Sequence, residues 1–167
     1  VGLYLRWYHF TLERVKNRMT RDNDKIVEML KRHEGVVKNN DRHVVYKCSE
    51  NFLTLGIGRN IDPNGGLGLS DSEVDFMLSN DVDRVIAELG KAFSWFTDLD
   101  CVRADAMIDL CFQLGLPSLL KFKNFLAEMA EGNYELAAPH LLDSLYARQT
   151  PNRANEIAEM IVSGKYK

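Results

Sequence analysis

The chain has no apolar run long enough to cross a bilayer, so no membrane-spanning helix is expected in it. Its early apolar residues are interrupted by Arg6, so no signal peptide is expected either. It opens at Val1 and not at a methionine, which is read as removal or omission of upstream residues. Cysteine is scarce: Cys48, Cys101 and Cys111 are an odd set that cannot all pair within the chain. They form no C-x-x-C and no metal spacing, and Cys101 and Cys111 lie in apolar helical context, where small core residues are expected. The four histidines, His9, His33, His43 and His140, form no H-E-x-x-H, since His33-Glu34 is followed by Gly35. No G-x-S-x-G supports a serine hydrolase, and no G-x-G-x-x-G or G-K-[ST] supports a phosphate loop. No internal repeat or low-complexity tract is present. A net charge of −3 carries no nucleic-acid signal, so neither a metal site nor a nucleic-acid partner is expected.

What is present is an ordinary globular composition, 46% hydrophobic and 27% charged over 167 residues. That length fits one domain, or two lobes sharing a helix, burying roughly 70% of the unfolded surface. Charge is uneven: residues 1–33 carry eight bases and four acids. A basic face there would favour an anionic envelope polymer, and a solvated helix face explains it as well. Val1, Leu5, Tyr8, Leu12, Val15 and Met19 fall at alternating spacings of three and four, a helical apolar stripe. Residues 1–23 are therefore read as an amphipathic helix that either packs on the core or leads from an upstream part of a larger protein. Residues 24–167 form the main domain.

In that domain DKIVEMLKRHE reads as a helix, with Ile26, Met29, Leu30 and His33 at helical spacing and Gly35 as its stop. Lys38 to Arg42 reads as a polar loop, followed by strands at His43–Tyr46 and Phe52–Ile57 around a turn at Lys47–Asn51. The second strand ends Thr54-Leu55-Gly56-Ile57-Gly58, and glycines in a strand mark close approach by a ligand or another backbone. Asn60 to Leu69 is a loop. Ser70-Asp71-Ser72-Glu73 is a capping box opening a long amphipathic helix through Leu89. Val102–Leu114, apolar on nearly all sides, is expected to be a buried central helix, with Phe112 either core or exposed for binding. Helices follow at about 118–131 and 133–146, the second kinked or ended by Pro139. A last helix opens with Thr150 as N-cap and Pro151 at its first position, and stops near Gly164.

Two residues break local rules. Glu34 sits in the last turn of its helix, where the partial negative charge of the helix end disfavours an anion. A carboxyl group there tends to keep its proton, as a general acid must. Arg153 is a cation in the first turn of the last helix, where anions are preferred. If the two faced each other, each would offset the other's unfavourable helix end.

Three segments carry a resemblance. Glu34-Gly35, then Cys48, then Thr54 before Gly56-Ile57-Gly58, matches a motif of Glu-Gly at a helix end, Asp or Cys on a hairpin, and Thr six residues later before G-x-G. Asp109-Leu110-Cys111-Phe112-Gln113-Leu114-Gly115 looks like a core helix with a Phe-Gln pair and terminal glycine, and Gln149-Thr150-Pro151-Asn152-Arg153-Ala154 looks like a Q-T-P-N-R-A segment. Together, from about Asp24 to Tyr166, the chain resembles the phage-type lysozymes, glycoside hydrolase family 24, the T-even phage lysozyme group. The resemblance implies an α+β fold, with a small hairpin lobe and a larger helical lobe joined by a long helix, and a cleft between. It implies hydrolysis of the β-1,4 bond from N-acetylmuramic acid to N-acetylglucosamine in bacterial peptidoglycan, with inversion and without a metal or organic cofactor. Glu34 would be the general acid, with Cys48 and Thr54 holding or activating water. Arg153 would lie beside the acid, with Gln113, Phe112 and Gly58 supporting or binding substrate. Cys48 stands where Asp is more familiar, and a thiol of ordinary pKa is mostly uncharged at neutral pH, so it would be a weak base still able to orient water. A lytic transglycosylase, or a non-catalytic wall-binding or virion domain, are the alternatives. A monomeric domain is expected, free or part of a virion protein. It would be made in the bacterial cytoplasm and would act on the wall from the periplasm, released by a holin or delivered by a virion.

Overall fold

A computed structural model of the chain describes residues 23–34 and 36–166. The amphipathic stripe expected over residues 1–23, apart from Asn23, and the stop at Gly35 lie outside the described residues. The described chain divides into two units, residues up to Ser70 and residues from Asp71. The architecture is α+β and lysozyme-like, with short antiparallel sheets in the first unit and helices in the second. No described helix is long and apolar enough to cross a membrane.

The first unit begins with α1, Asn23–Glu34, whose last turn carries Lys31, Arg32 and His33, cations suited to a helix C-terminus. Next come β1, Lys38–Asn39, and β2, Arg42–His43, where the sequence suggested a loop as far as Arg42. They pair Lys38 with His43 and Asn39 with Arg42, and both residues between, Asn40 and Asp41, have left-handed φ of 47° and 60°. A two-residue turn with both φ positive matches the twist of the strands it joins, and Asn and Asp tolerate it best. Three strands follow: β3, Tyr46–Lys47; β4, Leu53–Leu55; and β5, Arg59–Asn60. The register pairs Tyr46 with Thr54, and Thr54 in turn with Asn60, so Thr54 occupies the centre of the small sheet. The strand expected at His43–Tyr46 is split, with His43 ending β2, Tyr46 opening β3 and Val44-Val45 in neither, and Arg59–Asn60, expected partly as loop, is a third strand. Gly56-Ile57-Gly58 lies in the β4–β5 turn and not in a strand, with φ of 65° at Gly56 and 72° at Gly58.

Thr54 is the only residue of this unit that is buried among the described ones. With little apolar burial, polar ties fix its loops. The carboxylate of Asp62 accepts the N–H groups of Leu53 and Asn64 at 3.2 and 2.9 Å, tying the β5 loop back to β4. The N–H of Asn64 and then that of Leu53 hold the Asp62 carboxyl below its ordinary pKa.

The second unit opens with α2, Asp71–Ala92, starting where the capping box placed it, with Asp71 and Glu73 in the first turn. A 3₁₀ turn, Ser94–Asp98, leads to α3, Cys101–Leu114, capped by the Asp100 carboxylate on the N–H groups of Val102 and Arg103, both at 3.1 Å. Short α4 (Leu116–Leu119) precedes α5 (Lys123–Glu131), α6 (Tyr134–Leu142), α7 (Leu145–Gln149) and α8 (Pro151–Ser163). The core is built on α3 through Met107 and Leu110, on α5 through Phe125 and Met129, and on α8 through Ile157 and Ile161. Each such side chain contributes about 1.5–3 kcal/mol when fully buried.

Four expectations are corrected here. Phe112 is 43% exposed, so α3 is buried on one side and open on the other. Cys101 is exposed and only Cys111 is core. Pro139 neither halves nor ends its helix, which runs on to Leu142; the break comes at Ser144, whose hydroxyl accepts the N–H of Ala147 and starts α7. Thr150 does sit at the N-cap position of α8, but its hydroxyl donates to the Tyr146 carbonyl instead of capping.

Candidate active site

Glu34 is the last residue of α1, and its carboxylate rests on the β4–β5 turn. A Cβ built on Gly58 would lie 2.9 Å from Glu34 Oε2 and 3.5 Å from its carboxyl carbon. A side chain there would push the carboxylate aside, and the φ of 72° independently favours glycine at the second position of G-I-G. The expected close approach at this glycine is therefore to a catalytic-type side chain within the chain itself. A cavity of about 420 Å³ is lined by Val27, Leu30, Lys31, Glu34, Ile57 and Gly58. Apolar walls with one acid and one amine leave Glu34 exposed yet bordered by hydrocarbon.

Cys48 and Thr54 come together on the neighbouring strands. Cys48 opens the turn into β4: its N–H donates to the Phe52 carbonyl at 3.0 Å, and its carbonyl accepts from Asn51 at 2.9 Å. Asn51 supplies the left-handed residue, φ 65°. In this turn the Cys48 thiol is held below its ordinary pKa. The Phe52 N–H is the largest cause; desolvation opposes it, and the Glu50 N–H and the Thr54 hydroxyl assist. Thr54 is 3% exposed, and its one hydroxyl proton is shared between the thiol and the Phe52 carbonyl, 3.1 Å away. The thiol is thus half-buried and its surroundings favour the thiolate, unlike those of the core Cys111.

In the second unit Arg153 has a partner that the sequence reading did not name. Its Nε–H and an Nη2–H donate to the two carboxylate oxygens of Asp109, both at 2.8 Å. Asp109 raises the arginine's already high pKa, with desolvation opposing. A carboxylate inside the apolar run of α3 was the available signal: an acid on a mostly apolar helix is seldom without a partner. Phe112 lies with this pair on a cavity of about 440 Å³, whereas Gln113 is exposed on the same helix. Among the described residues no three His, Cys, Asp or Glu side chains gather as a metal-binding set.

No family model matches the chain. Individual relatives do. It is 26% identical over 165 residues to probable T4-type lysozyme 1 of Dictyostelium discoideum, covering 83% of this chain and 94% of that protein. Probable T4-type lysozyme 2 of the same organism is 26% identical over 163 residues, covering 92% and 96%. The chain is T4 lysozyme-like. The pre-baseplate central spike protein Gp5 of Enterobacteria phage T4 is 27% identical over 168 residues, which take in 85% of this chain and 28% of the spike protein. The match thus takes in nearly the whole of the two Dictyostelium proteins and a little over a quarter of the spike protein.

Proposed function

We propose that this chain is a muramidase that cleaves the β-1,4 bond from N-acetylmuramic acid to N-acetylglucosamine in bacterial peptidoglycan, with inversion. The observation that carries the reading is the carboxylate of Glu34 seated against Gly58, in a T4 lysozyme-like chain. Glu34 is the general acid that protonates the leaving oxygen. Cys48, its thiol biased toward the thiolate, and Thr54 orient the attacking water. Arg153 supports the acid, and Phe112 and Gln113 meet substrate. The wall is reached from the periplasm after synthesis in the bacterial cytoplasm, and likeness to a spike protein supports delivery by a virion over release by a holin.

The test is Glu34→Gln, which keeps the shape and removes the proton donor. General acid catalysis contributes ~10²–10⁴-fold, so a folded variant should lose at least that on purified peptidoglycan. Retention of more than about a tenth of wild-type turnover would refute the assignment. A second reading, lytic transglycosylation, is favoured by the thiol at position 48, since internal attack needs one acid and no basic carboxylate. Mass spectrometry of the soluble products separates the readings: an anhydro-muramyl end marks transglycosylation and a reducing muramyl end marks hydrolysis. A complete absence of fragments from wild-type protein marks a wall-binding domain.

A further inference from the structure

The cavity that holds Glu34 is formed wholly by the first unit, and two of its lining side chains are charged, Glu34 and Lys31. Val27, Leu30, Lys31 and Glu34 stand at i, i+3, i+4 and i+7 on α1, so one helix face presents all four. Arg32 and His33, the other cations of the last turn, do not border the cavity. They already meet the preference of a helix C-terminus for positive charge, which leaves the amine on the cavity face without that explanation. The Lys31 ammonium has no ion-pair partner among the described residues. Glu34 lies only three residues on, but its carboxylate rests on Gly58, and Lys before Glu is the weaker order for a helical pair. Arg59, next to Gly58, turns its Nε–H onto the Gly68 carbonyl at 2.7 Å and does not line the cavity. We propose that Lys31 is a substrate-binding residue, whose ammonium takes a carboxylate carried by the muramyl sugar at the bond that Glu34 protonates.

This rests on the muramidase reading, and it names the feature of the substrate that the site selects. N-acetylmuramic acid differs from N-acetylglucosamine by a lactyl ether, whose carboxyl group is free or extended by a peptide with carboxylates of its own. An ammonium on a flexible four-carbon stem offers three donors and follows a carboxylate whose position varies from strand to strand. The hydrocarbon of Val27, Leu30 and Ile57 borders the amine, so a bound glycan strand that excludes water there strengthens the attraction. Lys31 gives no proton to the leaving oxygen. Its contribution therefore falls on KM and on the choice of an anionic over a neutral strand, while kcat stays with Glu34.

The experiment compares wild type, Lys31→Met, Lys31→Arg and Arg32→Met in the full chain on two substrates. One is purified peptidoglycan; the other is the same material with its carboxylates converted to neutral amides by carbodiimide and methylamine. Lys31 is exposed, and Met keeps its hydrocarbon length and its helix propensity, so the variant should fold. A hydrogen bond to a charged group contributes enough for an expected loss of roughly fivefold to tenfold in kcat/KM, carried mostly by KM, when either partner is removed. Wild type should lose that much on the amidated material, and Lys31→Met should lose it on the native material with no further loss on amidation. Lys31→Arg should keep most of the preference for native material, and Arg32→Met, which takes the same charge from the same turn, should keep all of it. Glycan strands stripped of peptide identify the carboxylate: a Lys31 effect that persists on them assigns the lactyl group, and one that disappears assigns the peptide. If Lys31→Met equals wild type on native material, or still loses activity on amidation as wild type does, the proposal fails and the muramidase reading stands. If Glu34→Gln keeps full activity on native material, the muramidase reading fails and takes the proposal with it.

Discussion

Gly58 and Gly56 provide a controlled pair for asking whether the position of Glu34 governs activity. Both are in left-handed backbone, with φ of 72° and 65°, in the same turn. An L-residue in that conformation costs roughly 1–2 kcal/mol, so Gly56→Ala and Gly58→Ala should destabilise alike. For a chain of this length, such a loss lowers Tm by about 2–8 °C. What differs is the space. A Cβ at position 56 meets nothing within 4 Å, whereas at position 58 it meets Glu34 Oε2 at 2.9 Å, about half an ångström inside ordinary contact. The carboxylate is the free end of a flexible side chain, so it yields cheaply and swings away. The collision therefore adds little to the loss of stability and acts on the acid's position instead.

Displacing a catalytic group by about 1 Å can cost 10²-fold, so a shift of half that should cost roughly tenfold. The assay is turnover on purified peptidoglycan at a temperature well below both melting transitions, with Tm measured for each variant. Gly58→Ala should be about tenfold slower than Gly56→Ala at nearly equal Tm. Equal turnover in the two would show that the contact between Glu34 and Gly58 has no bearing on catalysis.

Two other outcomes follow from the same geometry. Cys48→Ala should lose much of the activity while Cys48→Asp keeps or raises it; and since the thiol's pKa is lowered, its alkylation rate should reach half-maximum at a lower pH than that of a free cysteine peptide measured alongside, a result that an equal or higher midpoint, or full activity in Cys48→Ala, would contradict. At the far end of α8, a Cβ on Gly164 would lie 2.7 Å from Arg103 Nη1, so Gly164→Ala should lower Tm more than Gly132→Ala, where φ is also positive but the space is open.

The second of these rests on a tie that shows how far sequence patterns reach. Arg103 donates to the Ile161 and Val162 carbonyls at 2.7 and 3.0 Å and sits 3.9 Å above the Tyr134 ring. It thereby closes the C-terminus of α8 from 58 residues away along the chain. Periodicity located α8 and a glycine located its end, because both are properties of neighbouring residues. The partner that satisfies the last carbonyls is set by tertiary packing, and nothing in the local sequence announces it. The same division explains the small sheets. Strands two or three residues long offer no alternation to read, so Lys38–Asn39 and Arg59–Asn60 are legible only through their turns, and Asn40-Asp41 reads equally well as loop.

The candidate site divides along the same line, and the division explains why Arg153 was half understood. Glu34, Cys48, Thr54 and Gly58 fall within 25 residues, so helix end, turn and strand chemistry together bring them into one region. The helix-end position of Glu34 and the left-handed glycine at 58 were visible separately, and the structure joins them in one contact. Arg153 was visible too, as a cation at the wrong end of a helix, but that rule states only that some anion must compensate. It cannot choose between acids 44 and 119 residues away, at Asp109 and Glu34. The structure fills one edge of the guanidinium with Asp109, and the planar fork keeps a second edge that one carboxylate cannot use. The compensating anion in the structure is Asp109, and it fixes which of the Arg153 N–H groups remain available.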